Sequence, residues 1–173
     1  MVGSPVREEL LRRAPQEQAK RFLVFDPIKP LVLVMGGSQG AERINDFIIE
    51  HLRTLLDRFQ IIHQVGIEKY DEYKNEYEFL TGKWAPEIKR LYQFHAYLNE
   101  NLSEAYDAAD LVVSRAGAGA IFECAAKGKP ALLIPLPEAA NNHQLENAYA
   151  FARSGAAIVL EEENLLPNVF LTQ

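Results

Sequence analysis

The stretch Leu31-Val-Leu-Val-Met35 runs directly into Gly36-Gly-Ser-Gln-Gly-Ala41. The apolar run predicts a buried strand, and the glycine-rich turn predicts the start of a helix. Further strand-length apolar runs follow at 60–65, 92–97, 111–114, 131–135 and 156–160, and helical patterns lie between the six runs at 41–57, 68–80, 101–109, 118–127 and 142–154. This alternation predicts an α/β fold with a doubly wound parallel sheet.

Composition restricts the class of protein. The 173 residues are 48% apolar, enough for one domain with a real core, and carry a net charge of −6. An acidic chain lacks the cationic surface that nucleic acids require, so we expect no nucleic-acid partner. The one cysteine excludes an intrachain disulfide and indicates a reducing, cytoplasmic compartment. A membrane-spanning helix is not predicted, because no segment approaches the roughly 18 consecutive apolar residues that it would need.

The sheet pattern does not reach the two ends of the chain. Residues 1–30 contain a short amphipathic segment and a proline-punctuated stretch, so we predict an interlobe linker and lead-in segment. Residues 31–165 hold the predicted sheet domain. Residues 166–173 stop without the helix that would close such a sheet, and we expect a truncated tail. We therefore expect one lobe of a larger protein.

Two glycine-rich turns follow predicted strands and could bind an anion such as a diphosphate, because the free N–H groups of a helix start favour negative charge. The first turn does not have the spacing of a dinucleotide or P-loop motif. The second includes Arg115, which fits either a surface cation or a phosphate clamp. Glu123, one turn into the next helix, fits either a ribose ligand or compensation of the helix dipole.

A third polar segment follows the strand at 131–135. Two prolines stiffen the loop, and His143, Gln144 and Asn147 then share one face of a helix. A single such residue is commonly a helix cap, whereas three together favour a polar binding site.

Other reactive residue types point to structural roles. Cys124 lies in an apolar stretch and is interpreted as a core residue. His51, His63 and His95 lack the spacing of metal ligands, so we predict structural or surface histidines and no bound metal or cofactor. Residues 68–78 are interpreted as a charged helix whose tyrosines pack on the sheet.

Taken together, these segments resemble one family. The order of 36–41, 109–119 with Glu123, 128–137 and His143-Gln-x-x-Asn147 is similar to the C-terminal lobe of the MurG family, bacterial UDP-N-acetylglucosamine transferases of glycosyltransferase family 28. Gly3-Ser-Pro-Val-Arg7 resembles the segment that joins the two lobes in that family. The resemblance implies a Rossmann-like C-terminal lobe of a GT-B glycosyltransferase, with residues 31–165 binding the UDP-sugar.

The resemblance also implies roles for individual residues. Glu123 would hold the ribose hydroxyls, the backbone of Leu98 would read the uracil edge, and Arg7 would lie close to the phosphates. The remaining donor-binding positions are the diphosphate turns Gly37, Ser38, Gln39, Gly40, Arg115, Gly117, Ala118 and Gly119, and the sugar contacts Gln144 and Asn147, with His143 next to them. Ser4 and Ala120 depart from the family pattern, and Ala120 removes one possible hydroxyl contact near the diphosphate.

The implied reaction is an inverting displacement, in which the acceptor's C4 hydroxyl attacks the anomeric carbon and UDP leaves. The acceptor would be undecaprenyl-pyrophosphoryl-MurNAc-pentapeptide, lipid I, which becomes lipid II. The base and the lipid-facing surface would belong to the N-terminal lobe, so the isolated lobe is expected to be inactive. The full-length protein would be peripheral on the cytoplasmic face of the bacterial inner membrane.

Two alternatives remain open. One is a cytosolic donor-binding subunit of a two-chain transferase acting on a dolichol-linked acceptor, which the linker-like Gly3 to Arg7 segment disfavours. The other is a nucleotide-binding module without transferase activity. A nicotinamide cofactor is disfavoured by the glycine spacing.

Overall fold

The fold is built on one six-stranded, all-parallel sheet. A computed structural model describes residues 6–36, 41–137 and 143–172. The strands are β1 (Leu31–Met35), β2 (Gln60–Gln64), β3 (Tyr92–His95), β4 (Leu111–Ser114), β5 (Ala131–Leu133) and β6 (Ala157–Val159). Their order is β3-β2-β1-β4-β5-β6, and each neighbouring pair is parallel. The predicted doubly wound sheet is confirmed.

Helices cover both faces of this sheet. The described α-helices are α1 (Gln16–Phe22), α2 (Glu42–Glu50), α3 (Leu52–Arg58), α4 (Tyr70–Thr81), α5 (Pro86–Lys89), α6 (Leu102–Ala108), α7 (Ala118–Lys127), α8 (His143–Ala152) and α9 (Pro167–Phe170). Alternate residues of β1 point to opposite faces. Leu31 and Leu33 join the core beneath α6 and α7, while Val32 and Val34 join the core beneath α2 and α3.

The predicted boundaries differ from the structure mainly at the ends of elements. β1, β4 and α7 have the predicted bounds, and α7 stops where Gly128 adopts a left-handed φ of +64°. The other four strands are shorter than predicted. The single helix predicted at 41–57 is wrong: it is α2 and α3, separated at His51, whose ψ of 11° departs from helical geometry.

The segments outside the predicted sheet domain pack onto it. Residues Glu8–Leu11 form a 3-10 helix, and together with α1 they contribute Leu10 and Ala19 to the core. A buried ion pair, Lys127 to Asp107 at 2.9 Å, also holds the lead-in segment, because Lys127 donates to the carbonyl of Arg12.

The chain's other end is anchored in a similar way. Phe170 of α9 is buried in the core, with its ring 5.1 Å from that of Phe47. Apolar residues from the lead-in segment and from α9 therefore complete the two cores.

The sheet has one topological switch point, between β1 and β4. Chain connections run outward from there in opposite directions, which leaves a crevice at the carboxyl ends of the two strands. Met35 and Ser114, the last residues of these strands, pair directly with one another. Polar groups that follow β1 and β4 are therefore brought to one place.

Candidate donor-binding site

A cavity of about 270 Å³ opens at this crevice. Its walls come from the ends of β1, β2 and β4, from the start of α7 and from the lead-in segment. The lining residues are Arg7, Met35, Gln64, Tyr97, Arg115, Gly117, Gly119, Ala120 and Glu123. The structure thus brings together five of the residues predicted from sequence: Arg7, Arg115, Gly117, Gly119 and Glu123.

The carboxylate of Glu123 is the centre of a three-residue cluster. Arg7 donates two hydrogen bonds to Oε1 of Glu123, from Nη2 at 2.9 Å and from Nε at 3.2 Å. Tyr106 donates from its hydroxyl to the other oxygen, Oε2, at 2.9 Å. Burial acts to lower the pKa of Arg7, but the hydrogen bonds and charge of Glu123 outweigh it and raise that pKa. The carboxylate of Glu123 is therefore held in place by Arg7 and Tyr106, and it lines the cavity as a hydrogen-bond acceptor.

The position of Glu123 argues against its role as dipole compensation. It is the sixth residue of α7, and the first turn of that helix contains no acidic residue. The favourable interaction of a carboxylate with a helix dipole is confined to about the first turn. The geometry therefore disfavours dipole compensation, and the ligand-binding role of Glu123 remains a prediction.

The N-terminus of α7 faces the same crevice. Gly117 precedes the helix with extended backbone angles and supplies no side-chain cap. The first N–H groups of any helix have no partner within it, and together they form an anion-binding site. A Cβ added at Gly117 or Gly119 would meet no atom within 4 Å. The glycines thus leave open space where a diphosphate could approach the backbone.

Arg115 is already engaged with protein groups. It forms an ion pair with Glu162, and its Nη1 donates to the carbonyl of Ile134 at 3.2 Å. These contacts tie the end of β4 to the segments after β5 and β6. Of the two interpretations from sequence, a free surface cation is wrong, because Arg115 is largely buried. Its contact with phosphate remains a prediction.

The backbone of Leu98 lies beside the cavity, but its N–H is engaged. It donates to Oε1 of Gln64 at 2.8 Å, and Leu98 is buried. Gln64 ends β2, and its backbone carbonyl lies so close to Gly36 that a Cβ there would be 2.9 Å away. A side chain at position 36 would therefore push the backbone of that residue away from β2.

The remaining predicted residues fall elsewhere. Gln144 and Asn147 are partly exposed on α8, and Gln144 accepts a hydrogen bond from the N–H of Leu136 at 3.1 Å. His143 is exposed at the start of α8. These three residues do not line the Glu123 cavity. Gly37, Ser38, Gln39 and Gly40 lie outside the described residues, and Ala118 is the first residue of α7.

A second cavity, of about 220 Å³, lies between the loop after β5 and residues 161–163. Glu162 is paired with Arg115, but Glu161 and Glu163 would repel a diphosphate, which makes this cavity a poor candidate for the anion.

Structural roles account for the reactive residues away from the cavity. The Nε2 of His63 lies 2.9 Å from Oδ1 of Asn45, and its Nδ1 lies 2.9 Å from the Tyr92 hydroxyl. Burial lowers the pKa of His63 to about 3 and raises that of Cys124 to about 12, so both are neutral in the folded protein. The predictions of a structural histidine and a core cysteine are confirmed.

The described ranges contain no cluster of three or more potential metal ligands. The same ranges contain no helix long and apolar enough to cross a membrane.

Sequence reasoning missed Tyr106, Tyr97 and Gln64. Gln64 had a weak signal, since it is a polar residue at the end of an otherwise apolar strand. Tyr106 had none, because an aromatic residue on an apolar helix face is typical of a core position.

Comparison with known proteins identifies the family. The profile of the glycosyltransferase family 28 C-terminal domain matches residues 31–171, most of the chain. The chain belongs to this family. The family 28 domain is similar to a crystal structure of MurG from Acinetobacter baumannii, with a TM-score of 0.70 and 29% identity, over 94% of this chain and 45% of that one. The predicted family and fold are both confirmed.

Two similar curated proteins are both named UDP-N-acetylglucosamine–N-acetylmuramyl-(pentapeptide) pyrophosphoryl-undecaprenol N-acetylglucosamine transferase. The one from Geobacillus kaustophilus is 43% identical over 165 residues, which are 95% of this chain and 43% of that protein. The one from Clostridium tetani is 39% identical over 175 residues, covering 99% and 44% respectively. The chain thus spans less than half the length of these relatives.

Proposed function

We propose that this chain is the donor-binding lobe of an inverting transferase that moves N-acetylglucosamine from UDP-N-acetylglucosamine to lipid I, forming lipid II for peptidoglycan. The names of the full-length relatives support the substrates and the reaction. The observation that carries the donor site is the Glu123 carboxylate, held at the switch point beside the N-terminus of α7.

The ribose, the diphosphate and the uracil each have a matching group in or beside the cavity, and the sugar has matching groups outside it. The two ribose hydroxyls donate to the carboxylate of Glu123, since an ionised carboxylate only accepts hydrogen bonds. The diphosphate lies against the N-terminal N–H groups of α7, with Arg7 as the nearby cation. The uracil ring lies toward Tyr97, which lines the cavity, and toward the backbone of Leu98, which follows it in the chain. Gln144 and Asn147 then reach the sugar from α8.

The lobe's part in the reaction is to stabilise the leaving group. As the acceptor hydroxyl attacks the anomeric carbon, the bond to UDP breaks and negative charge develops on the β-phosphate. Fixed N–H donors and the dipole of α7 stabilise this charge without having to reorganise. We assign the base and the lipid-facing surface to the rest of the full-length protein. The chain alone should therefore bind donor but transfer no sugar.

Calorimetry with UDP, UDP-N-acetylglucosamine and ADP tests the proposal. We expect UDP to bind more tightly than ADP, and Glu123→Ala to weaken UDP binding by about 1–3 kcal/mol because a charged acceptor is lost at a partly buried site. Glu87→Ala is the matched control, since Glu87 lies in the first turn of α5, remote from the cavity. Equal affinity for UDP and ADP, or no effect of Glu123→Ala, would remove the donor-site assignment.

A further inference from the structure

The cluster around Glu123 contains Tyr106, which bonds to the Glu123 carboxylate but does not line the cavity where a ligand would bind. Tyr106 lies on α6 and is fully buried, while Glu123 lies on α7 with 14% of its side chain exposed. The phenol therefore approaches the carboxylate from the core, and Arg7 approaches it from the cavity side. Burial raises the pKa of Tyr106 far above its ordinary value, so the hydroxyl stays protonated and remains a donor.

The acceptor capacity of Glu123 limits what else can bind there. A carboxylate offers about four lone-pair positions, two on each oxygen. Arg7 uses both positions on Oε1, and Tyr106 uses one on Oε2. Only one position is left, whereas a ribose diol brings two O–H donors. Binding the diol through both hydroxyls requires one of the present partners to leave.

The environments of the two partners decide which one leaves. Arg7 is one-third exposed and directly precedes the 3-10 helix at Glu8–Leu11. Tyr106 is packed in the core with Leu102, Ala105 and Cys124 and cannot withdraw without opening it. Displacing Arg7 costs a partly solvated ion pair, which is the smaller penalty.

We propose that Tyr106 is a positioning residue for the donor site: its hydroxyl holds Oε2 of Glu123 so that Oε1 is presented to the ribose, while the diol displaces Arg7. This inference rests on the proposed function of the site. A glutamate side chain has three rotatable bonds, so fixing one oxygen before binding lowers the entropy lost on binding. Tyr106 thus acts through Glu123 without touching the nucleotide.

The test compares Tyr106→Phe with wild type for two ligands, UDP and 2′,3′-dideoxy-UDP, by calorimetry on this chain. We expect Tyr106→Phe to weaken UDP about three- to tenfold, the cost of ordering one long side chain on binding, and to leave dideoxy-UDP within about twofold. Tyr92→Phe is the matched control: it also removes a buried hydroxyl, but one that bonds to His63. It should change neither affinity.

The possible outcomes separate this inference from the proposed function. Equal weakening of both ligands by Tyr106→Phe indicates a merely structural role and overturns the inference, as does no change for either. If the wild-type chain binds UDP and dideoxy-UDP equally, Glu123 does not hold the ribose and the proposed site itself fails.

A second measurement uses the wild-type chain and does not depend on the variant's folding. Tyrosines labelled with ¹³C at Cζ show, by a deuterium isotope shift, whether the hydroxyl proton exchanges slowly. We expect the Tyr106 hydroxyl to be slowly exchanging both without nucleotide and with UDP. Fast exchange after UDP binding would mean that Tyr106 releases Glu123, and would overturn the inference.

Discussion

Replacing Arg7 by methionine should change the affinities for uridine and UDP in opposite directions. Arg7 donates two hydrogen bonds to Oε1 of Glu123, at 2.9 and 3.2 Å. A hydrogen bond to a charged group contributes about 1.5–3 kcal/mol, but Arg7 is 32% exposed, so solvent screening reduces the pair to about 1 kcal/mol. A nucleoside must break this pair and gains nothing from Arg7 in return.

These magnitudes set the expected affinities. For uridine, Arg7→Met removes a competitor worth about 1 kcal/mol, so binding should tighten about fivefold. For UDP, the loss of about 1.5–3 kcal/mol from the contact between guanidinium and diphosphate outweighs that gain. UDP binding should therefore weaken by about 2- to 30-fold. UMP should fall between the two.

The assay is ligand-observed NMR for uridine and calorimetry for UMP and UDP, at constant low salt. Arg21→Met is the matched control, because Arg21 forms an exposed ion pair with Glu17 on α1. Weaker or unchanged uridine binding by Arg7→Met would refute the displacement argument. Tighter UDP binding would refute the assignment of Arg7 to the phosphates.

Two further predictions concern stability. Lys127→Met should lower the free energy of unfolding by about 3–5 kcal/mol in urea titrations, because it leaves the carboxylate of Asp107 buried without its cation. The double variant Lys127→Met/Asp107→Leu should recover much of this loss, whereas near-native stability of the single variant would contradict the reasoning. The folded-state pKa of His63 is about 3, so near neutral pH the ring is neutral when folded and takes up a proton on unfolding; the free energy of unfolding should therefore fall by roughly 1.4 kcal/mol per pH unit between about pH 6.5 and pH 3. His63→Gln should reduce this pH dependence, and an unchanged dependence of the free energy of unfolding on pH would show that His63 is not its source.

Short-range patterns in the sequence determined the bounds of several strands and helices. β1 and β4 are continuous apolar runs closed by glycine-containing turns, and α7 stops at a left-handed glycine, so their bounds follow from neighbouring residues. The break between α2 and α3 has no such local signal, since the residue at the break is His51 and its neighbours include no glycine or proline. The core roles of Leu10 and Phe170 also depend on surfaces supplied by distant residues.

The same division holds for the proposed donor site. The sequence identified Glu123, the start of α7 and Arg7, because glycine turns after strands meet at one edge of a parallel sheet and because the motifs resemble one family. Only the tertiary structure decided what these groups contact. Arg7 and Glu123 are 116 positions apart in the chain, and Tyr106 reaches Glu123 from another helix. Such contacts depend on how helices pack across the sheet, which no local sequence pattern encodes.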